Sequence, residues 1–349
     1  MTPGLKMFGG IIVKGIYLTE NAGVIDRVYS KETQEKIAAL VDMSAGWANR
    51  EKVLANKEAY ADVDIVFSTW SCPKFNEELL DVFKNLKIVL YGAGSLKSVV
   101  SDAFWNRGVR VCSAWGANAV PVAHFTVAQV LYSLKLGWYY MDSFKRNRKR
   151  GIQDNDVKRI VYGTYKSTVG IISLGMIGRM VAQLLKPFDL NIIAYDPFVT
   201  QEQADKMGLD VKMCTLDEVF SQSDVVSLHT PLLPETVGMI EGRHFEMMKP
   251  STTFINTSRG AIIKENEMIE VLKKRPDLYA CLDVTHPEPP KEDSPLFDLP
   301  NVILTPHVAG SVGRECTRMG DYMLSELEKF LNGEKLDWEV DKKRFPIMA

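Results

Sequence analysis

The chain has 349 residues, of which 46% are hydrophobic and 25% charged, and its 42 Lys and Arg nearly balance its 44 Asp and Glu. That length exceeds what a single hydrophobic core serves, at roughly 150 residues per domain, so two domains are expected and extended disorder is excluded. A formal charge of -2 gives no overall attraction to nucleic acid or to an anionic membrane, so any charged partner is small and local.

Near the N-terminus the apolar run Phe8 to Val13 holds two glycines and is broken by Lys14, which does not make a secretory h-region. No segment reaches the roughly 20 apolar residues that span a bilayer. The five cysteines Cys72, Cys112, Cys214, Cys281 and Cys316 are odd in number and lack CxxC or zinc-ligand spacing. They fit free thiols in a reducing compartment, so a cytoplasmic protein without a metal site is expected.

From Lys14 to about Arg110, β-rich runs alternate with helical ones: Gly15 to Leu18, Lys31 to Val41, Asp64 to Ser68, Asn76 to Phe83 and Lys87 to Tyr91. Such alternation predicts a parallel sheet wrapped by helices. Val120 to Leu136 is a long apolar helix, more apolar than a one-sided surface helix needs, and is expected at a domain or subunit interface. The basic run Lys145 to Arg150 follows a helical pattern and suits a helix C-terminus, where cations complement the dipole.

A second series starts at Thr168: strand Val169 to Ile172, a glycine turn, helix Ile177 to Leu185, then strands Asn191 to Tyr195, Val225 to Leu228, Thr253 to Ile255, Tyr279 to Leu282 and Val302 to Leu304. This predicts a second doubly wound sheet. A last helix is expected over Gly320 to Leu331, with Met323, Leu324, Leu327, Phe330 and Leu331 on a helical period, placed to return to the first domain.

The glycine turn carries the first chemical signal. Between strand and helix, Ser173-Leu174-Gly175-Met176-Ile177-Gly178 has the spacing of a dinucleotide fingerprint. There the second glycine admits a pyrophosphate, the third lets helix and strand pack, and the helix N-terminus offers N–H groups. Ser173 replaces the first glycine, a steric liability only if its φ is positive. Asp196 ends the next strand, where an acid accepts from ribose hydroxyls and repels a 2′-phosphate, so NAD is expected rather than NADP.

With these residues and four further motifs, the chain resembles the D-isomer-specific 2-hydroxy-acid dehydrogenases over nearly its whole length. The motifs are His229-Thr230-Pro231 with Glu235-Thr236, Ile255-Asn256-Thr257-Ser258-Arg259-Gly260, Leu282 to Pro289, and Asn301 to Gly310 around Thr305-Pro306-His307. The resemblance implies two doubly wound parallel-sheet α/β domains. One is a flavodoxin-like substrate domain of residues 1–118 completed by 311–349. The other is a Rossmann nucleotide-binding domain of residues 119–310, with hinges near Asn118 and Gly310 and the active site in the cleft. It also implies a homodimer.

Oxidation of a 2-hydroxy acid moves a hydride to nicotinamide and a proton to a base. The site therefore needs a carboxylate anchor, a carbonyl polariser and a group that exchanges protons near neutral pH. Arginine suits the first two through its planar charged fork, histidine suits the third, and a carboxylate beside the histidine orients it and stabilises its cation. By resemblance Arg259 is the anchor, His307 the acid/base and Glu288 its partner. The other histidines, His124, His229, His244 and His286, are expected to be structural or peripheral.

For the cofactor, the resemblance assigns Ser173, Gly175, Met176, Ile177, Gly178 and Asp196 to the adenosine and pyrophosphate, and Thr257, Arg259 and Asp283 to the nicotinamide. Thr230, Pro231, Thr236, Ser258, His307 and Gly310 complete that set. For the substrate it assigns Arg259, the glycine loop with Ala93 and Gly94, and Trp70 and Ser71 in the place of the specificity loop. Phosphoglycerate-specific relatives tend to carry arginine in that loop, so a small unphosphorylated 2-hydroxy or 2-keto acid is expected here. His124 departs from the family pattern, which has glutamate there.

Four alternatives share the fold. A formate dehydrogenase would have an amide in place of Glu288, and a phosphite dehydrogenase would have lysine in place of Ala93. An NADH-sensing corepressor could keep the triad and bind NADH without turnover. A 3-phosphoglycerate dehydrogenase also remains open.

Overall fold

The computed structural model describes residues 7–8, 11–148 and 159–347. Lys149 and Arg150 of the basic run, and Gly9 and Gly10 of the N-terminal apolar run, lie outside the described residues. The chain divides into one compact unit of residues 1–118 and 311–349 and a second of residues 119–310.

The first unit is built on five parallel strands, β1 (Gly15–Leu18), β2 (Trp47–Ala48), β3 (Ile65–Ser68), β4 (Ile88–Tyr91) and β5 (Arg110–Ser113), in the spatial order β2-β1-β3-β4-β5. Successive side chains of a strand point to opposite faces, and here both faces are buried. Ile16, Leu18, Val66, Val89 and Tyr91 enter a core with Phe75, Leu79 and Phe104. Tyr17, Ile65, Phe67, Ile88 and Leu90 enter another with Tyr29 and Ile37. Side chains of this size stabilise by about 2 kcal/mol each when fully buried.

That second core is closed by α1 (Gly23–Val28), α2 (Lys31–Leu40) and the C-terminal helix Glu315–Leu331. The C-terminal helix buries Cys316, Met319, Met323, Leu324 and Leu327 there. It starts five residues before the expected Gly320. That glycine reads as a helix breaker in sequence, but a Cβ on it would stand 2.2 Å from the Val28 carbonyl oxygen. It is interior because the helix runs against the backbone that follows α1.

The second unit holds seven parallel strands: β6 (Thr168–Ile172), β7 (Asn191–Tyr195), β8 (Lys212–Met213), β9 (Val225–Leu228), β10 (Thr253–Asn256), β11 (Tyr279–Leu282) and β12 (Val302–Leu304). Their order is β8-β7-β6-β9-β10-β11-β12, a doubly wound sheet whose order reverses between β6 and β9. Phe220, Phe245 and Phe254 fill one face. The helix α3 (Trp115–Leu134) and α4 (Met176–Leu185) contribute Ala123, Val130, Leu134, Val181 and Leu185 to the other. Pro121 lies inside α3. The next helix, Gly137–Asn147, leaves Met141 and Phe144 exposed, as α3 does Tyr132. It carries Lys145 and Arg146 in its last turn, as a helix C-terminus favours. The described residues hold no helix long and apolar enough to cross a membrane.

Candidate functional site

Every nucleotide and catalytic residue expected from the sequence falls in the loop, or the first helical turn, that follows the carboxyl end of a strand in the second unit's sheet. These are the turns after β6, β7, β9, β10, β11 and β12, the edge where ligands bind in open α/β sheets.

The turn after β6 is the tightest. Ser173 sits at φ 77°, so the serine in the first glycine place does meet the steric cost of the left-handed region. Its amide donates to the Tyr195 carbonyl at 2.7 Å. A Cβ on Gly178 would lie 2.0 Å from the Ser173 carbonyl oxygen, which requires glycine there, while a Cβ on Gly175 would meet nothing within 4 Å. Gly175 therefore faces open space. The amides of Met176 and Ile177, which begin the ten-residue α4, find no acceptor among the described residues, as expected of a helix N-terminus that receives an anion.

Asp196 follows β7 beside this turn. Its Oδ2 accepts from the Leu174 amide at 2.8 Å and the Ser173 hydroxyl at 3.3 Å, and its Oδ1 accepts from the Phe198 amide at 2.8 Å. The carboxylate is thus fixed, half-buried and able to accept more. After β9, the Thr230 hydroxyl oxygen is buried without a hydrogen-bond partner, an unmet polar group of the kind a bound ligand satisfies. Open glycine, free helix amides, a fixed acid and an orphan hydroxyl together fit a dinucleotide.

The loops after β9 and β10 hold each other. Thr236 Oγ1 accepts from the Leu233 amide at 2.8 Å and donates to the Pro231 carbonyl at 2.7 Å, and the Ser258 hydroxyl donates to the Thr230 carbonyl. Thr257 meets Thr126 of α3 hydroxyl to hydroxyl at 3.2 Å. Asn256, not singled out from sequence, accepts from the Ser258 amide at 2.9 Å and donates to the Arg259 carbonyl at 3.1 Å. It thereby sets the turn that presents Arg259. Gly260 must be glycine, because a Cβ would reach 2.0 Å from the Thr285 carbonyl carbon.

The residues expected as the acid/base pair follow β11 and β12. His307 Nδ1–H donates to Glu288 Oε1 at 2.5 Å, an assignment that follows from the carboxylate being an acceptor. Arg259 is half-buried with one amino group on the Ser258 carbonyl at 2.7 Å. Desolvation pulls its affinity for a proton down and the nearby Glu288 charge pulls it back up; a guanidinium remains charged either way. Glu288 is thus bonded to His307 and close enough to act on the Arg259 charge.

Asp283 holds the histidine loop. Buried at 3% exposure, its Oδ1 accepts from the Thr305 hydroxyl at 2.6 Å and the Val308 amide at 2.9 Å, and its Oδ2 accepts from the Ala309 amide at 2.9 Å. The His307 amide donates to the Asp283 carbonyl at 2.9 Å. These bonds keep His307 at φ 52°. Oδ2, with one bond, retains capacity toward a ligand.

His229, expected to be structural or peripheral, is buried. Burial pushes it down to about 3, and its Nε2 lies 3.0 Å from the Ser227 hydroxyl. His244 is nearly fully covered and caps its helix by accepting the Glu241 amide on Nδ1 at 2.9 Å.

In the first unit, Ala93 is buried and Gly94 half-buried after β4, and neither the Gly94 nor the Ser95 amide finds an acceptor among the described residues. Trp70 and Ser71 follow β3. The Ser71 hydroxyl meets Thr19 Oγ1 at 2.7 Å, and Thr19 also donates to the Trp70 carbonyl at 3.0 Å. Burial pushes the neighbouring Cys72 thiol up to about 12, too protonated to act as a nucleophile.

Residues 129–309 match the family model described as D-isomer specific 2-hydroxyacid dehydrogenase, NAD binding domain. The chain is 30% identical to a D-3-phosphoglycerate dehydrogenase of Archaeoglobus fulgidus over 84% of its own length and 53% of that protein's. It is 30% identical to one of Methanocaldococcus jannaschii over 88% of its length and 56% of that protein's. It therefore spans about half the length of these relatives. Among solved structures, a phosphoglycerate oxidoreductase from Rhizobium etli superposes with a TM-score of 0.78 at 18% identity, covering 95% of this chain and 99% of that one. A glyoxylate reductase from Paecilomyes thermophila superposes with a TM-score of 0.72 at 22% identity, covering 95% and 99%. At these identities the superpositions speak for the fold.

Proposed function

The chain belongs to the D-isomer specific 2-hydroxyacid dehydrogenase family and carries its NAD-binding domain; from that premise we propose that it is an oxidoreductase moving a hydride between NAD(H) and a small D-2-hydroxy or 2-keto acid. The observation that carries this reading is the 2.5 Å bond from His307 to Glu288 beside a half-buried Arg259. With Nδ1 committed to the carboxylate, Nε2 is the nitrogen left to give a proton to the substrate oxygen in reduction and to take it back in oxidation. Glu288 orients the ring and stabilises the imidazolium. Arg259 binds the substrate carboxylate and polarises the C2 oxygen.

NAD, when bound, supplies or accepts the hydride. Ser173, Gly175, Met176, Ile177, Gly178 and Asp196 would hold its adenosine and pyrophosphate, Thr230, Pro231, Thr236, Thr257, Ser258 and Gly310 its length, and Asp283 its carboxamide. Residues 119–310 are the nucleotide domain in this reading. Residues 1–118 with 311–349 are the substrate domain, binding through Trp70, Ser71, Ala93 and Gly94. The finer reading is a cytoplasmic homodimer, supported by free cysteines and by the exposed Tyr132, Met141 and Phe144.

The substrate is unphosphorylated in this reading, because the loop after β3 presents Trp70 and Ser71. The test is NADH consumption over a panel of hydroxypyruvate, glyoxylate, longer 2-keto acids and the keto form of phosphoglycerate. Turnover of unphosphorylated acids is expected. Strongest turnover of the phosphorylated acid contradicts the substrate assignment, and tight NADH binding with no turnover on any member makes the protein a nucleotide-sensing module instead.

A further inference from the structure

The strand order of the first unit, β2-β1-β3-β4-β5, reverses direction between β1 and β3. A crevice forms at such a switch point, outside the carboxyl ends of the two strands. The loop after β1 contributes Thr19 and leads into α1, and the loop after β3 contributes Trp70 and Ser71.

One cation stands here. Arg27, on the last turn of α1, lays its guanidinium carbon 4.9 Å from the centre of the Trp70 ring and donates its Nε–H to Cys316 Sγ at 3.4 Å. The Trp70 ring is half-buried and packs against both cores of the unit, so it is a rigid platform. Among the described residues no carboxylate pairs with Arg27, and its two terminal amino groups have no acceptor. An arginine stacked on an aromatic face, held at Nε and open at both amino groups, presents the fork that matches a carboxylate in bidentate fashion. The side chain itself is exposed, so a ligand can reach it.

We propose that Arg27 is a specificity-determining residue that binds a second carboxylate on the substrate, so that the preferred substrate is a 2-keto diacid. This rests on the dehydrogenase reading above. The free amides of Gly94 and Ser95 at the end of β4 suit the carboxylate next to the reacting carbon. The end of β3 is the next strand over, about 4.8 Å away, so a chain a few carbons longer spans from one loop toward the other. A carboxylate suits the site better than a phosphate dianion, which draws several cations. The next cation on the loop, Lys74, lines a separate depression with Asn76, Glu77 and Trp105.

The test compares kcat/KM for a five-carbon 2-keto diacid with that for the 2-keto monoacid of equal length, and for a phosphorylated 2-keto acid, in the wild-type protein, Arg27→Gln and Arg27→Lys. A charged hydrogen-bonded pair predicts a wild-type diacid preference of about 30-fold. That ratio should collapse toward unity in Arg27→Gln through KM, and survive in part in Arg27→Lys. An equal loss on diacid and monoacid in Arg27→Gln, a wild-type preference for the monoacid, or a phosphorylated substrate favoured independently of Arg27 overturns the proposal. Monoacid turnover without a diacid preference removes only the role of Arg27, whereas no turnover on any 2-keto acid removes the dehydrogenase reading with it.

Discussion

Two of the loops at the carboxyl ends of the second unit's strands hold a non-glycine residue in the left-handed region: Ser173 at φ 77° after β6 and His307 at φ 52° after β12. A side chain there costs about 1 kcal/mol or more, and glycine avoids it. At His307 the cost is offset by Asp283, which takes the Thr305 hydroxyl and two amides of the loop, and the imidazole is the group the chemistry needs. At Ser173 the side chain makes one bond of 3.3 Å to Asp196, and in the proposed reading a pyrophosphate is served by backbone. In the proposed mechanism, strain at His307 therefore serves the chemistry, and strain at Ser173 is incidental.

The largest way to break that contrast is His307→Ala. General acid–base catalysis contributes roughly 100- to 10,000-fold, so kcat should fall by about three orders of magnitude while NADH, titrated by its fluorescence, still binds. A variant that turns over normally takes His307 out of the mechanism and makes its strain as incidental as that at Ser173.

Asp283→Ala comes next. It strands three donors at a buried position, which should cost about 3 kcal/mol in denaturant unfolding and lower kcat with it. If stability drops but kcat of the folded protein does not, the bonds to Asp283 hold the fold without aiming His307.

His229 sharpens the comparison from the other side, since the same residue type, buried and neutral, has no part in the proposed chemistry. Burial sets it near 3 in the folded protein against about 6.5 when unfolded. The unfolded state thus binds more protons below pH 6.5, and this histidine's share of stability is complete above that pH and lost as the pH falls toward 3. The loss should reach roughly 2 kcal/mol by pH 5. Relative to its own value at pH 7, His229→Gln should lose that much less on acidification. Parallel curves of unfolding free energy against pH would show that His229 does not titrate as buried.

The smallest effect is expected from Ser173→Gly. Relief of the positive φ, less the added freedom of the unfolded chain, should leave a gain of roughly 0.5 kcal/mol with NADH affinity kept. A loss of affinity instead would mean that the Ser173 hydroxyl, through Asp196, serves the nucleotide.

Much of this was legible in the sequence, for identifiable reasons. Strands such as Asn191–Tyr195, Val225–Leu228 and Tyr279–Leu282 read to the residue because runs of apolar side chains buried on both faces end abruptly at turn residues. The strands Trp47–Ala48 and Lys212–Met213 did not, because two residues on a sheet edge carry no periodicity. Residues that converge from separate loops, such as Glu288 and His307, were found through motif order. The roles of Asn256 and of Asp283 as loop braces depend on which amides face them, which no spacing encodes. Arg27 lacked any local signal: it reaches Trp70 only because the strand order makes β1 and β3 neighbours. Whether Ser173 was costly turned on its φ, which the chain reveals only once folded.

The central claim, hydride transfer at C2 governed by His307, is tested most directly by reducing a 2-keto acid with NADH deuterated on the transferring face and analysing the product. The account predicts a D-2-hydroxy acid carrying deuterium at C2, formed by the wild-type protein and about a thousandfold more slowly by His307→Ala. An unlabelled product, the L enantiomer, or equal rates from the two proteins would contradict it.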